Sequence, residues 1–171
     1  MPALMRRITS NWQASGILVA QSGTPITILD FGAGAVYGNY PFENRAQLSG
    51  SRIATAGSLH SRVLGTYLNS AAFTTAPEAP NGTSPDDTDF GNSGAGVVRG
   101  PGQRDIDMAL ERSIPLSESH SVHLRAEFFN LTNTPNFANP LNIVNFGPAF
   151  GKIIQKSNNP RIVQVALKYQ F

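Results

Sequence analysis

Hydrophobic and polar residues alternate strictly at the end of the chain. In RIVQVALKYQF (161–171), Val163, Val165, Leu167, Tyr169 and Phe171 share one phase, and Ile162, Gln164, Ala166, Lys168 and Gln170 share the other. Successive side chains of a β-strand point to opposite faces, so this period predicts a strand with one apolar face. The stretch 120–131 repeats the pattern: Val122, Leu124, Ala126 and Phe128 oppose His123, Arg125 and Glu127, with two adjacent phenylalanines at the end. So does 104–114, where Ile106, Met108 and Leu110 alternate with Asp105, Asp107, Ala109 and Glu111. A fourth strand is expected over 10–29, rich in β-branched residues, with Gly23 to Pro25 as a bulge because Pro25 cannot donate to a ladder. FGKIIQK (150–156) is a weaker candidate.

Strands of this length are long for a soluble sheet, where about 5 to 6 residues is usual, but match the roughly 9 to 11 that a tilted strand needs to cross a bilayer. The connections alternate. About 70 residues rich in Gly, Ser, Asn, Thr and Pro (30–103) join the first two strands, PLSES (115–119) joins the next two, and about 29 residues (132–160) join the last two. Long loops on one side and short turns on the other are the pattern of an outer-membrane barrel. The strands then run outward, inward, outward and inward, with 150–156 inside an external loop. A large soluble β-sandwich binding carbohydrate or protein carries the same alternation and is the alternative reading.

The expected fold class is therefore all-β and antiparallel. Ile106, Met108, Leu110, Val122, Leu124, Ala126, Val163, Val165 and Leu167 are expected to form one lipid-facing surface. Phe128 and Phe129 are expected at the outer aromatic girdle. Asp105, Asp107, Glu111, Arg125 and Glu127 are expected to face a wet lumen. The segments 104–114 and 120–131 should pair as an antiparallel hairpin. The aromatic residues of 30–103 (Tyr37, Tyr40, Phe42, Tyr67, Phe73 and Phe90) are too sparse to suggest a second hydrophobic core.

Composition narrows the function classes. Of 171 residues, 16 are Gly and 12 Pro, and only 14% are charged, against roughly 25% in soluble domains. The formal charge of +2 comes from scattered residues, which argues against a nucleic-acid patch. With no cysteine there is no disulfide scaffold, thiolate metal site or thiol catalysis. MPALMRRITSNW has no apolar stretch behind its arginines and is not a signal peptide, so an export signal is expected outside this sequence.

Candidate chemistry is sparse. DFGAGAVYG (30–38) is Gly-rich, but NYPFENR behind it is no helix start, so it does not read as a phosphate loop. His60, His120 and His123 lack metal-ligand spacing, and no G-x-S-x-G elbow supports a hydrolase. PDDTD (85–89) could offer oxygen ligands to Ca²⁺ but reads first as a solvated loop tip. The NGT at Asn81 and NLT at Asn130 match the glycosylation pattern by chance. No catalytic residue, metal or cofactor is expected.

NWQASGILVAQSGTPITI, YLNSAAFTTAP, FGNSGAGVVRGPGQRDIDMALERSIPL, HLRAEFFNLTNTPNFANP and PRIVQVALKYQF occur in this order. Together they resemble the C-terminal barrel region of TonB-dependent outer-membrane receptors, most closely the Oar-like branch with its carboxypeptidase-regulatory-like domain. The resemblance implies a barrel of about 22 strands around a plug, taking up a ligand with energy supplied through TonB. It covers only the last strands of such a barrel, so 1–171 reads as a C-terminal piece that forms no pore alone. The implied partners are the remainder of the barrel and its plug, outer-membrane lipid, the outer-membrane assembly machinery, and TonB through N-terminal parts. Tyr169 and the terminal Phe171 resemble the signal that the assembly machinery reads. The implied role is transport in the bacterial outer membrane, not catalysis.

Overall fold

The computed structural model describes residues 9–38, 44–84 and 86–171. In chain order its strands are β1 (Trp12–Gln21), β2 (Pro25–Ile26), β3 (Gln47–Leu48), β4 (Phe73–Thr74), β5 (Val98–Arg99), β6 (Gln103–Pro115), β7 (Ser121–Phe129) and β8 (Ile162–Gln170), with an α-helix, α1 (Leu59–Leu64), and short 3-10 turns between them. The chain divides into two compact units. One holds the long strands (residues 9–21, 103–135 and 158–171), the other residues 22–102 and 136–157.

The four long strands form one antiparallel sheet in the order β1-β6-β7-β8. The expected hairpin is there: β6 and β7 pair with Glu111 opposite Arg125 and Ile114 opposite Val122. Its turn closes on His120, whose carbonyl accepts the N–H groups of Leu116 (2.9 Å) and Ser117 (3.1 Å). β1 and β8 are exposed along their whole length, so this sheet holds no closed core.

The first strand is shorter than its pattern suggests. It ends at Gln21, not at residue 29, and Gly23 to Pro25 is a change of sheet and not a bulge. Gly23 passes so close to the next segment that a Cβ there would lie 1.8 Å from the Gly100 carbonyl oxygen. Pro25 then opens the small β2–β5 ladder opposite Arg99. Ile26 and Ile28 keep the phase of Leu18 and Ala20, but they are buried where Leu18 is 71% exposed. The same parity is apolar on both sides of Ser22 and Thr24, although the environment changes there.

The second unit corrects a further expectation. Residues 30–103 are mostly irregular, as expected, yet they carry most of a hydrophobic core. Ile26, Ile28, Ala46, Val63, Tyr67, Leu68, Ala72, Phe73 and Phe150 form it, with Phe73 and Phe150 packed edge to face at 5.9 Å. Neither long connection has enough apolar residues alone. Folded together, they pool them. Phe150 to Lys156 forms no strand, and Phe150 instead enters this core. Gly151, at φ 76°, lies where a Cβ would be 2.8 Å from the Leu68 carbonyl oxygen. Asp30, almost wholly buried, accepts the N–H groups of Gly32 (2.9 Å) and Ala76 (2.6 Å). Tyr37 and Phe90 stack at the surface, while Tyr40 and Phe42 lie outside the described residues.

Candidate functional site

The register of the long sheet sorts its side chains into two faces, because residues directly opposite in an antiparallel pair share a face. One row runs Gly16, Met108, Phe128, Val163, the next Ala14, Leu110, Ala126, Val165, and the next Trp12, Arg112, Leu124, Leu167. Leu18 and Ile106 extend this face at one end, Ile114, Val122 and Tyr169 at the other. All nine residues expected on one apolar surface are on it. Val165 is 76% and Leu167 70% exposed, so no second sheet covers them. Adjacent residues of a strand point oppositely, so Phe128 joins this face and Phe129, opposite Ile162, does not. The expected pair of girdle phenylalanines is therefore one ring.

The other face gathers Asp105, Asp107, Glu111, Arg125 and Glu127, the five charged candidates. Arg125 Nη1 lies 2.6 Å from Glu111 Oε1 across the ladder, and its Nη2 2.7 Å from Glu127 Oε1. One guanidinium thus holds a carboxylate on the next strand and one two residues along its own. These side chains remain partly solvated, so water screens each pair and its contribution to stability is small. His123, Lys168, Gln13 and Gln170 line the same shallow hollow as Glu111 and Arg125. Asp107 instead bonds to the backbone, where its Oδ1 accepts the N–H of Asn130 at 2.8 Å.

Asn130 is the centre of a knot that the alternation did not reveal. Its Nδ2 donates to the carbonyls of Thr134 and Asn159, both at 3.1 Å, and its Oδ1 accepts the Thr134 N–H at 2.9 Å. Asn133 Oδ1 accepts the Arg161 N–H at 3.2 Å, and Asn158 Nδ2 donates to the Thr134 carbonyl at 2.9 Å. Asn130 and Asn133 both have positive φ (49° and 51°), a conformation Asn tolerates better than most residues. The signal was the run of Asn and Thr in NLTNTPN, which marks side-chain-to-backbone bonding. At 5% exposure Asn130 is in no position to accept a glycan.

Near the short turn, aromatic and cationic groups meet on the apolar face. The Arg112 guanidinium lies 5.3 Å from the Trp12 ring centroid. Tyr169 stacks on His120 at 5.8 Å, its hydroxyl 2.7 Å from His120 Nδ1, and Phe171 follows at 6.2 Å from Tyr169. Asp87, in the loop considered for Ca²⁺, is committed to its own turn. Its Oδ2 accepts the N–H of Thr83 (2.6 Å), the Thr83 hydroxyl (3.1 Å) and the N–H of Ser84 (3.0 Å). Pro85 of that loop lies outside the described residues. Among the described residues no three His, Asp or Glu side chains are grouped to hold a metal ion.

The arrangement is a wall with two solvents, one face suited to hydrocarbon and the other to water. The profile described as "Outer membrane beta barrel domain" matches residues 2–164. No curated protein and no solved structure matches the chain. Alternating strands and a match over nearly the full length agree: this chain belongs to the outer membrane β-barrel domain family and is localised to the bacterial outer membrane.

Proposed function

We propose that the four long strands form part of the wall of a TonB-dependent receptor of the Oar-like branch, which takes up a ligand across the outer membrane. The observation that carries this reading is the continuous, exposed apolar face backed by a charged one, on strands 9 to 13 residues long. That length crosses hydrocarbon at the usual barrel tilt. The sequence blocks shared with that branch support the finer assignment. Asp105, Asp107, Glu111, Arg125 and Glu127 face the lumen in this reading, where their role is to bond neighbouring strands or a plug. The apolar rows meet lipid.

Edges define what else is needed. Among the described residues β1 and β8 are the edges of the sheet, each with a row of N–H and C=O groups that faces no strand, and hydrocarbon does not tolerate such groups unpaired. The smallest membrane barrels use about eight strands, so further strands flank both edges. In this reading the connections 30–103 and 132–160 are external loops and the short connection 115–119 is a periplasmic turn. Tyr169 and Phe171 present the assembly signal. TonB acts through N-terminal parts of the receptor, and the role is transport with no cofactor.

Formaldehyde crosslinking in living cells, followed by capture of the protein carrying this chain, tests the assignment. Recovery of TonB from outer-membrane fractions is the expected result. Capture from the outer membrane with TonB never recovered would leave a barrel but remove the receptor.

A further inference from the structure

The NGT stretch, set aside as a glycosylation pattern, carries chemistry of its own. Asn81 and Gly82 form the one Asn-Gly pair among the 171 residues, and both are exposed. Gly82 has no side chain, so nothing shields the backbone nitrogen next to the Asn81 carboxamide. Asparagine is among the thermolabile residues of proteins. The step needs only water. The Gly82 amide yields its proton to solvent base, and its nitrogen bonds to Asn81 Cγ. The Cγ–Nδ2 bond breaks, and ammonia leaves with a proton returned by solvent. One water then opens the cyclic imide to aspartate or isoaspartate, leaving a carboxylate where an amide stood.

The fold around the pair opposes this step. The Gly82 N–H donates to the Ala79 carbonyl at 2.9 Å, closing a β-turn with Pro80 and Asn81 at its centre. Asn81 does not have positive φ and no described peptide bond is cis, so with Pro80 at the first central position the turn is type I. The second central residue of such a turn has ψ of about 0°, which eclipses the Gly82 nitrogen with the Asn81 nitrogen. Ring closure needs that nitrogen over Asn81 Cβ instead, a rotation of roughly 120° that breaks the turn. Asp87 holds the turn closed. Its backbone carbonyl accepts the Ala79 N–H at 2.7 Å, and its Oδ2 takes the three donors of Thr83 and Ser84. The same packing requires glycine: a Cβ at Gly82 would lie 2.7 Å from Asp87 Cβ and 3.0 Å from its carbonyl oxygen. The clamp thus imposes the labile pair and also protects it.

We propose that Asn81 is a site of spontaneous deamidation, gated by the Asp87 clamp on the turn that contains it. Attack occurs only in molecules whose turn has opened, so the observed rate is the intrinsic rate multiplied by the open fraction. Ammonia is lost to solvent, and the step does not reverse. The product adds a carboxylate to a loop that already holds Asp86, Asp87 and Asp89. As isoaspartate it also lengthens the backbone by one carbon, so the reacted turn does not close as before. This modification does not depend on the transport reading.

The test follows each asparagine by peptide mapping of the protein carrying this chain, incubated at mildly alkaline pH. One sample is folded in outer-membrane vesicles and one is unfolded in guanidinium chloride. Unfolded, Asn81 should deamidate ahead of every other asparagine of 1–171. Folded, it should react about tenfold or more slowly. Asp87→Ala should bring the folded rate most of the way to the unfolded one. Asn69 and Asn92 are internal controls, each followed by serine and each bonded through its side chain to a distant backbone group, and they should stay slow in that variant. Should Asp87→Ala fail to fold, Thr83→Val removes the hydroxyl bond alone and should accelerate Asn81 about threefold. Equal folded and unfolded rates, another asparagine ahead of Asn81 in the unfolded chain, or no acceleration in either variant would overturn the site. Acceleration of Asn69 and Asn92 together with Asn81 in Thr83→Val would overturn it too, because the whole unit and not the turn would then be the gate.

Discussion

Val165→Arg places a charge in the middle of the apolar face, and its cost depends entirely on the solvent there. Val165 is 76% exposed and sits in the row of Ala14, Leu110 and Ala126, midway between Arg161 and Tyr169. In water, such a surface substitution changes stability by about 0.5 kcal/mol or less. At the midplane of a bilayer, an arginine on the lipid face of a barrel costs about 2 to 4 kcal/mol. At 1.4 kcal/mol per factor of ten, that lowers the folding equilibrium by about 30- to 700-fold. Gln164→Arg is the control, because Gln164 is its chain neighbour and points to the other face. The assay is urea unfolding of the protein in vesicles, followed by gel mobility before and after heating. Val165→Arg should lower the unfolding midpoint sharply while Gln164→Arg leaves it near the native value. Equal effects of the two variants would mean that this face does not meet lipid, and the wall assignment of the apolar rows would fall.

Three further outcomes follow from the same geometry. Asn130→Ala removes three side-chain hydrogen bonds and puts alanine at φ 49°, so it should cost about 2 to 3 kcal/mol in the same assay; Asn130→Gly, which relieves the backbone only, should recover a fraction of that. Deleting Phe171, 89% exposed at the end of the apolar phase, should reduce the amount in the outer membrane without reducing synthesis, and normal insertion of the variant would remove its role in assembly. The Asp87 carboxyl is held below its ordinary value of 3.8 by the Thr83 N–H, then the Thr83 hydroxyl, with the Ser84 N–H adding to the effect. Its stabilisation of the turn is therefore present above the ordinary carboxyl range and lost as pH falls through the lowered value; amide shifts of Thr83 and Ser84 that titrate at or above 3.8 would contradict this.

The two units are stabilised in different ways. Residues 22–102 and 136–157 bury a conventional core in which Ile28, Leu68 and Ala72 have no exposure at all. The long sheet has no such core and is held by its ladders and by the Asn130 knot. In water that would be unfavourable for a sheet with this much exposed apolar surface. In hydrocarbon, unsatisfied backbone groups cost several kcal/mol each, so a complete ladder is the dominant stabiliser and the apolar face needs no protein partner.

The amino-acid sequence by itself determined the long strands, their two faces and the hairpin. Each depends on a period of two or on a short turn, and both are local: the phase of Val163, Val165 and Leu167 assigns their face whatever else the chain does. That the chain belongs to an outer-membrane β-barrel family was also legible, because long alternating strands and their alternating connections follow in order along the chain. The end of β1 was not legible, since Ile26 and Ile28 continue the phase of Leu18 into a buried core. That core was itself hidden, because Phe150 meets Phe73 and Leu68 only when two distant connections fold together. Asn130 acquired its partners the same way, from Asp107 on β6 and Asn159 beyond the second connection. Strand phase is set by bond geometry within a few residues, whereas burial and buried hydrogen bonds depend on which distant segments are brought alongside, and that was settled only when the chain folded.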